Sequence, residues 1–443
     1  MKRHISVLML LATVFIISVT SFGCRREETP DPSEVSPSVP QMYSETSDVP
    51  EVPDIRQKAV ALALEHGLKE EELKGEYELF LQFADILEKN VSLGKWKEFV
   101  YRIFPVVAEN AELLDEKYFF SGLADLSIEE AEMVEGHGGE YYDDSKSILI
   151  NDTLRETEPD DYLITLFHEL MHFVDYNLSG PEQMCYGLDG RIITEKEAEG
   201  LSEEENDRTW YIPDPAFITE AGAELYTGKY YSKTVASYFP IVEFLSGLDH
   251  IYGGERTERM FFSSDSSYLF CSMLQKAGYS IEEIREAVAS LSRYTNSYYE
   301  FPDADMPIED ILIDLYISEK GDDWKEDQTF CYILKCIVEM PYEGNRDSKY
   351  RKELRDIAFT DFEDYYRFED EIKKQAGEDL YFRVIPPNLI YIDGRPYLSV
   401  RGTWKKDGLE EIRGVIFLEM DLKDNVLKSC ELIEPELLED IAG

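Results

Sequence analysis

The chain has 443 residues, and single hydrophobic cores stop growing near ~250–300 residues, so two or more packed units are expected. Hydrophobic residues make up 43 % and aromatics 13 %, enough apolar matter to offset chain entropy over most of the length, which excludes a largely disordered chain. Lys plus Arg number 44 against 92 Asp plus Glu, a formal charge of −48; a polyphosphate would meet repulsion nearly everywhere, and nucleic-acid binding drops out as a function class.

Met1-Lys2-Arg3-His4 is a short basic start before an apolar run from Ile5 to Phe22 interrupted only by Ser and Thr, the pattern of a signal peptide. The run ends in Ser21-Phe22-Gly23-Cys24 and turns polar at Arg25-Arg26-Glu27-Glu28. A small residue before a lone Cys resembles the lipobox of bacterial lipoproteins. That resemblance implies cleavage after residue 23, lipid on Cys24, and a chain held on the extracytoplasmic face of a bacterial membrane. An uncleaved apolar span and simple secretion after cleavage are the alternatives. Removing residues 1–23 takes away Lys2 and Arg3 and no acid, so the mature charge is 42 − 92 = −50.

Over residues 25–53 Pro, Ser, Thr and Glu dominate, with Pro30, Pro32, Pro37, Pro40, Pro50 and Pro53 spaced through; such a stretch cannot bury a core and reads as a disordered tether. Asp54 then caps a helix whose apolar positions Ala59, Val60, Ala63 and Leu64 run to a stop at Gly67. Helical periodicity continues over 76–90 and 95–114. Around residues 138–142 the pattern breaks into a turn, and Ser147-Ile148-Leu149-Ile150-Asn151 reads as a short buried strand. A helix follows from Thr157, its N-cap, to about Leu178, with Pro159 in the first turn and Leu163, Leu166, Phe167, Leu170, Met171 and Val174 as an apolar stripe. A polar loop over 179–213 leads to a helix opened by Asp214-Pro215. Residues 232–375 read as mostly helical, with starts such as Ser280-Ile281-Glu282-Glu283. Past Gly377 the period becomes alternating, with strands at 381–385, 389–392, 397–401, 415–420 and 426–432 joined by hairpins such as Asp393-Gly394. Beyond Cys24 the cysteines are Cys185, Cys271, Cys331, Cys336 and Cys430. An odd set without CxxC spacing reads as buried apolar residues rather than a disulfide framework or thiolate site.

The chemistry concentrates in His168-Glu169-Leu170-Met171-His172. Residues four apart stack on one helix face, so both imidazoles can reach one metal ion at ~2.0–2.1 Å, and Glu169 is placed to act as a general base toward water there. Phe167, Leu170 and Met171 around the pair suit a dry cleft. Two His leave zinc short of the three protein ligands that catalytic sites keep. Six residues past His172 stands Leu178, so no third His completes a metzincin pattern. Glu220 is the better candidate, 48 residues after His172, on the helix opened by Asp214-Pro215, whose small residues Ala221, Gly222 and Ala223 would let it approach the motif helix; Glu224 and Asp189 are the alternatives.

HExxH followed by Glu220 in a Glu-x-x-Ala-Glu context resembles the gluzincin metallopeptidases, and Asp175, three residues past the second His, makes it similar to the lethal factor-like pattern in particular. The likeness covers about residues 141–230. It implies that His168, His172 and Glu220 hold one Zn2+ per chain and that Glu169 is the general base. It also implies a donor to the oxyanion, for which Tyr211, nine residues before Glu220, is the candidate, with Tyr230, Tyr231 and Tyr238 as rivals. Asp175 is placed to orient a ligand.

The expected fold class is α+β: a mostly helical zincin-like metallopeptidase unit with a small active-site sheet, followed by a small C-terminal antiparallel β domain. The expected organisation is 1–23 signal peptide, 24–53 tether, 54–378 catalytic region and 379–443 β domain. The expected function is hydrolysis of peptide or protein substrates at a membrane surface, with the strand Ser147–Asn151 as an edge onto which an extended substrate could add. The rival expectations are a binding lipoprotein that keeps the scaffold without catalysis and a hydrolase of cell-wall peptide cross-links.

Overall fold

The computed structural model describes residues 54–354, apart from 135–136, 158, 213–214, 232, 236–240, 294–305 and 339–347, together with the strands Leu11–Thr13, Leu380–Tyr381, Asn388–Ile392, Arg395–Trp404, Ile412–Asp421 and Val426–Ile433. Most of the signal segment, Cys24, the tether, Asp214 and Tyr238 lie outside the described residues. The fold is mostly helical with small sheets, broadly α+β. No helix among the described residues is long and apolar enough to cross a membrane.

The N-terminal helices form where apolar residues recur every three to four positions. Ile55–Glu65 buries Ala59 and Ala63 and ends before Gly67 at φ +75°; Asp54 stands at its N-cap position, but its side chain makes no cap bond. Tyr77–Lys89 buries Phe80, Phe83, Ala84 and Leu87. The continuous periodicity expected over 95–114 is instead a broken series, with helices Lys97–Val100 and Phe104–Glu109 set between 3-10 turns. Pro105 in the first turn of the latter has no N–H for a preceding carbonyl, so the helix must restart there. Glu116–Asp125 is a further helix, capped by Asp115, whose Oδ1 accepts from Tyr118 N at 3.0 Å.

Beside the motif helix lies a three-stranded sheet in which Ser147–Asn151 is central, parallel to Ser127–Ala131 and antiparallel to Gly139–Tyr142. Residues 139–142 are a strand rather than part of a turn, and Ser147–Asn151 is flanked on both sides, so the edges are Ser127–Ala131 and Gly139–Tyr142. Thr157 closes the helix Asp152–Thr157 rather than capping the next one, which runs Pro159–Leu178.

The segment read as a polar loop, 179–213, holds a second sheet. Cys185–Leu188 pairs with Arg191–Thr194 through the two-residue turn Asp189-Gly190, both at positive φ, and on its other side with Trp210–Ile212. After Ala216–Tyr231 the chain continues through helices Ile241–Tyr252, Gly254–Phe261, Ser266–Lys276, Ile281–Ser292, Ile308–Lys320 and Gln328–Val338. The box at Ser280 is formed as expected: its Oγ accepts from Glu283 N, and its N–H donates to Glu283 Oε2 at 2.7 Å. In the C-terminal region all strand pairs are antiparallel; Arg395–Trp404 pairs along one side with both Leu380–Tyr381 and Asn388–Ile392, and Ile412–Asp421 lies between it and Val426–Ile433. Leu11–Thr13 pairs with Lys233–Val235.

Candidate metal centre

The motif helix Pro159–Leu178 buries Leu166, Phe167, Leu170, Met171, Phe173 and Val174 completely, which fixes its rotation and leaves His168, Glu169 and His172 at 6–7 % exposure on the remaining face. Helix Ala216–Tyr231 packs against it and presents Glu220 and Glu224, also four residues apart. His172 Nε2 lies 3.1 Å from His168 Nε2, and Glu220 Oε2 lies 3.7 Å from His168 Nε2 and 3.6 Å from His172 Nε2. Three ligands of a tetrahedral zinc at ~2.0–2.1 Å stand about 3.3–3.4 Å from one another, so these atoms bracket that spacing and face one point. They form a group able to hold a metal ion.

The electrostatics fit a cation. Burial alone would favour neutral His168, but Glu220 and Glu224 outweigh it and push the imidazole up to about 10. Burial would raise the Glu220 carboxyl, yet His172 and His168 hold it well below the usual carboxylate range. Glu169 moves the other way: burial raises it, although the two His oppose the shift. Two carboxyls in one cleft are thus driven apart, the arrangement in which one binds charge and the other moves a proton.

Glu224 takes a role that its candidacy as a third ligand did not describe. Its Oε2 lies 3.5 Å from His168 Nδ1, on the far side of the ring from Glu220. A carboxylate there selects the tautomer with the proton on Nδ1 and the lone pair on Nε2. The only signal in the sequence is the four-residue spacing from Glu220, which becomes informative once the packing of the two helices is known. Behind it, on Ile241–Tyr252, stands Glu243, 4 % exposed, with its Oε2 lacking a hydrogen-bond partner among the described residues. Burial, reinforced by the charge of Glu224, pushes the Glu243 carboxyl up to about 8.

The other candidates separate. Asp189 sits in the hairpin turn with its carboxylate on Arg208 at 3.1 Å, and is not one of the grouped ligand residues. Tyr211 lies on Trp210–Ile212, 45 % exposed, its ring against Tyr186 across the ladder. Tyr230 donates its hydroxyl to Glu258, and Tyr231 stacks on Phe167 at 5.0 Å, so both rivals are engaged in packing. Asp175 is half-buried on the motif helix beyond His172. Gly222 does not mediate the approach of the two site helices: a Cβ there would stand 2.1 Å from a ring atom of Phe261, so the glycine admits helix Gly254–Phe261 instead. The strand Gly139–Tyr142 lies against Glu169, with Gly139 packed directly on that side chain. No protein-family model, curated protein or solved structure matches the chain.

Proposed function

We propose that this protein is a zinc metallopeptidase, with His168, His172 and Glu220 holding the ion and Glu169 acting as general base. The reading rests above all on three ligand atoms converging at 3.1–3.7 Å beside a buried carboxyl whose affinity for protons is raised. When bound, zinc supplies Lewis-acid polarisation of the scissile carbonyl and makes water acidic enough to attack near neutral pH. Glu169 accepts the proton from the attacking water and delivers it to the leaving amine; its burial raises its proton affinity toward the working range such a relay needs. Glu224 holds the His168 proton on Nδ1. Tyr211 is the proposed donor to the oxyanion, its exposed hydroxyl-bearing ring lying on the strand that precedes the Glu220 helix.

The edge Gly139–Tyr142 supports peptides as substrates. It carries no further strand among the described residues, and it runs alongside the motif helix at Glu169, so an extended chain could add to it next to the general base. The basic start, apolar run and Gly23-Cys24 junction support a place on the outer face of a bacterial membrane, tethered through Cys24. Metal analysis of the purified chain should find about one zinc, lost on His172→Ala or Glu220→Ala. A Glu220→Ala chain that keeps full zinc affinity would show the ligand set to be wrong.

A further inference from the structure

Two adjacent glycines pack against the motif helix at Thr165 and Glu169, and neither has a positive φ, so what they provide is space rather than unusual backbone conformation. A Cβ at Gly139 would stand 2.9 Å from Glu169 Cγ, 3.0 Å from Glu169 Oε1 and 3.1 Å from Thr165 Cγ2. A Cβ at Gly138 would meet Thr165, at 2.9 Å from Cγ2 and 3.2 Å from Oγ1, and Leu154 Cδ1 at 3.5 Å. All but the Leu154 contact are well inside the ~3.5–4.0 Å of good packing. Only the Gly139 position would displace the carboxyl side chain.

The strand cannot readily yield to an added methyl. Gly139 is in register with Ile150 on the central strand, and Asn151 fastens the segment before it, its N–H donating to Gly138 O at 2.8 Å and its Nδ2 to His137 O at 2.8 Å. Two residues on, Tyr141 faces the same helix, with its ring against Phe173 and its hydroxyl accepting from Asn177 Nδ2 at 2.8 Å. The strand is therefore held from both ends, and the side chains that would move are Glu169, the nearest, and Thr165.

We propose that Gly139 is a positioning residue for Glu169: its bare backbone is the wall that fixes the orientation of the carboxylate toward the cleft. This rests on the reading of Glu169 as general base. A general base acts in the transition state, so its misplacement appears in kcat rather than in KM.

The test is a double-mutant cycle on a cleavable peptide, with zinc content measured for every chain. Gly139→Ala should retain zinc, leave KM within about twofold, and lower kcat by roughly 10–100-fold, the scale of an ångström-level misplacement. In the Glu169→Gln background, which has the same shape and no base to misplace, the same substitution should cost less than about twofold. Gly138→Ala, which presses on Thr165, should cost the same factor in both backgrounds. If Gly139→Ala does not fold, the Gly139→Ala/Thr165→Ala chain leaves the new methyl only Glu169 to displace and carries the same comparison. An unchanged kcat, or equal losses in both backgrounds, overturns the positioning role while leaving the peptidase reading intact. A zinc-loaded wild type that cleaves nothing overturns the general-base reading itself.

Discussion

At His168 the two ring nitrogens face different carboxylates: Nε2 has Glu220 at 3.7 Å and Nδ1 has Glu224 at 3.5 Å. The difference in position sets different expectations for removal. Glu220→Ala should abolish zinc binding, while Glu224→Ala should weaken it by about 10–100-fold without emptying the site, as loss of an orienting partner does. Chelator competition distinguishes the two; equal affinities in both variants would show that the roles are misassigned. Glu243 adds a stability signature. Its carboxyl is raised from 4.5 to about 8 in the fold, so folding holds a proton that the unfolded chain releases. Its contribution is fully present below about pH 4.5 and is lost as pH rises toward 8, on the order of a few kcal/mol in total. Glu243→Gln should remove that slope, so its urea midpoint should exceed that of the wild type at pH 8 and approach it near pH 4.5. Identical pH dependence in the two chains would contradict a buried neutral Glu243.

The HExxH spacing was legible because it is local: four residues on one helix decide that two imidazoles share a face. Glu220 was legible as the better candidate over Glu224, but the place of Glu224 was not, because only the packed helices show which nitrogen of His168 each carboxylate meets. At the scale of elements, local signals misled where glycine was read as a turn. The sequence around residues 138–142 reads as a turn, yet Gly138 and Gly139 stand where Thr165 and Glu169 occupy the space a side chain would need. In the segment 179–213 the Asp189-Gly190 pair was a sound hairpin signal, but strands of three or four residues show too little alternation to stand out from a polar background. The rank of Ser147–Asn151 within its sheet depends on a parallel partner twenty residues earlier, which no local pattern announces. The same scale gives a test of how the metal helix is seated. Gly222→Ala would place a methyl 2.1–2.8 Å from the Phe261 ring, and overpacking of this kind typically costs ~1–3 kcal/mol. Thermal unfolding should drop accordingly and zinc affinity should fall as Glu220 shifts; Phe261→Leu in the same chain should restore both. Unaltered melting would show that the helix has slack at that position.

For the whole molecule, the change from helical to alternating periodicity near residue 377 is enough to expect a helical body followed by antiparallel strands. Four of the five expected strands lie where the alternation puts them, with bounds that differ by up to three residues, as at Arg395–Trp404; of the one expected over 381–385 only Tyr381 falls in a described strand, Leu380–Tyr381, and the rest lies outside the described residues. A lipid anchor is the proposal that the Gly23-Cys24 junction carries. A Cys24→Ser chain should lose lipid labelling and leave the membrane fraction or remain unprocessed. Membrane attachment that persists without lipid on the wild type would favour an uncleaved apolar span. The catalytic claim itself is most directly tested by turnover on a broad peptide library, comparing the zinc-loaded wild type with its Glu169→Gln form. Cleavage by the wild type, falling roughly 10²–10⁴-fold in Glu169→Gln with zinc content unchanged, is the expected result; a fully zinc-loaded wild type that cleaves no peptide, or a Glu169→Gln chain that cleaves as fast as the wild type, would contradict it.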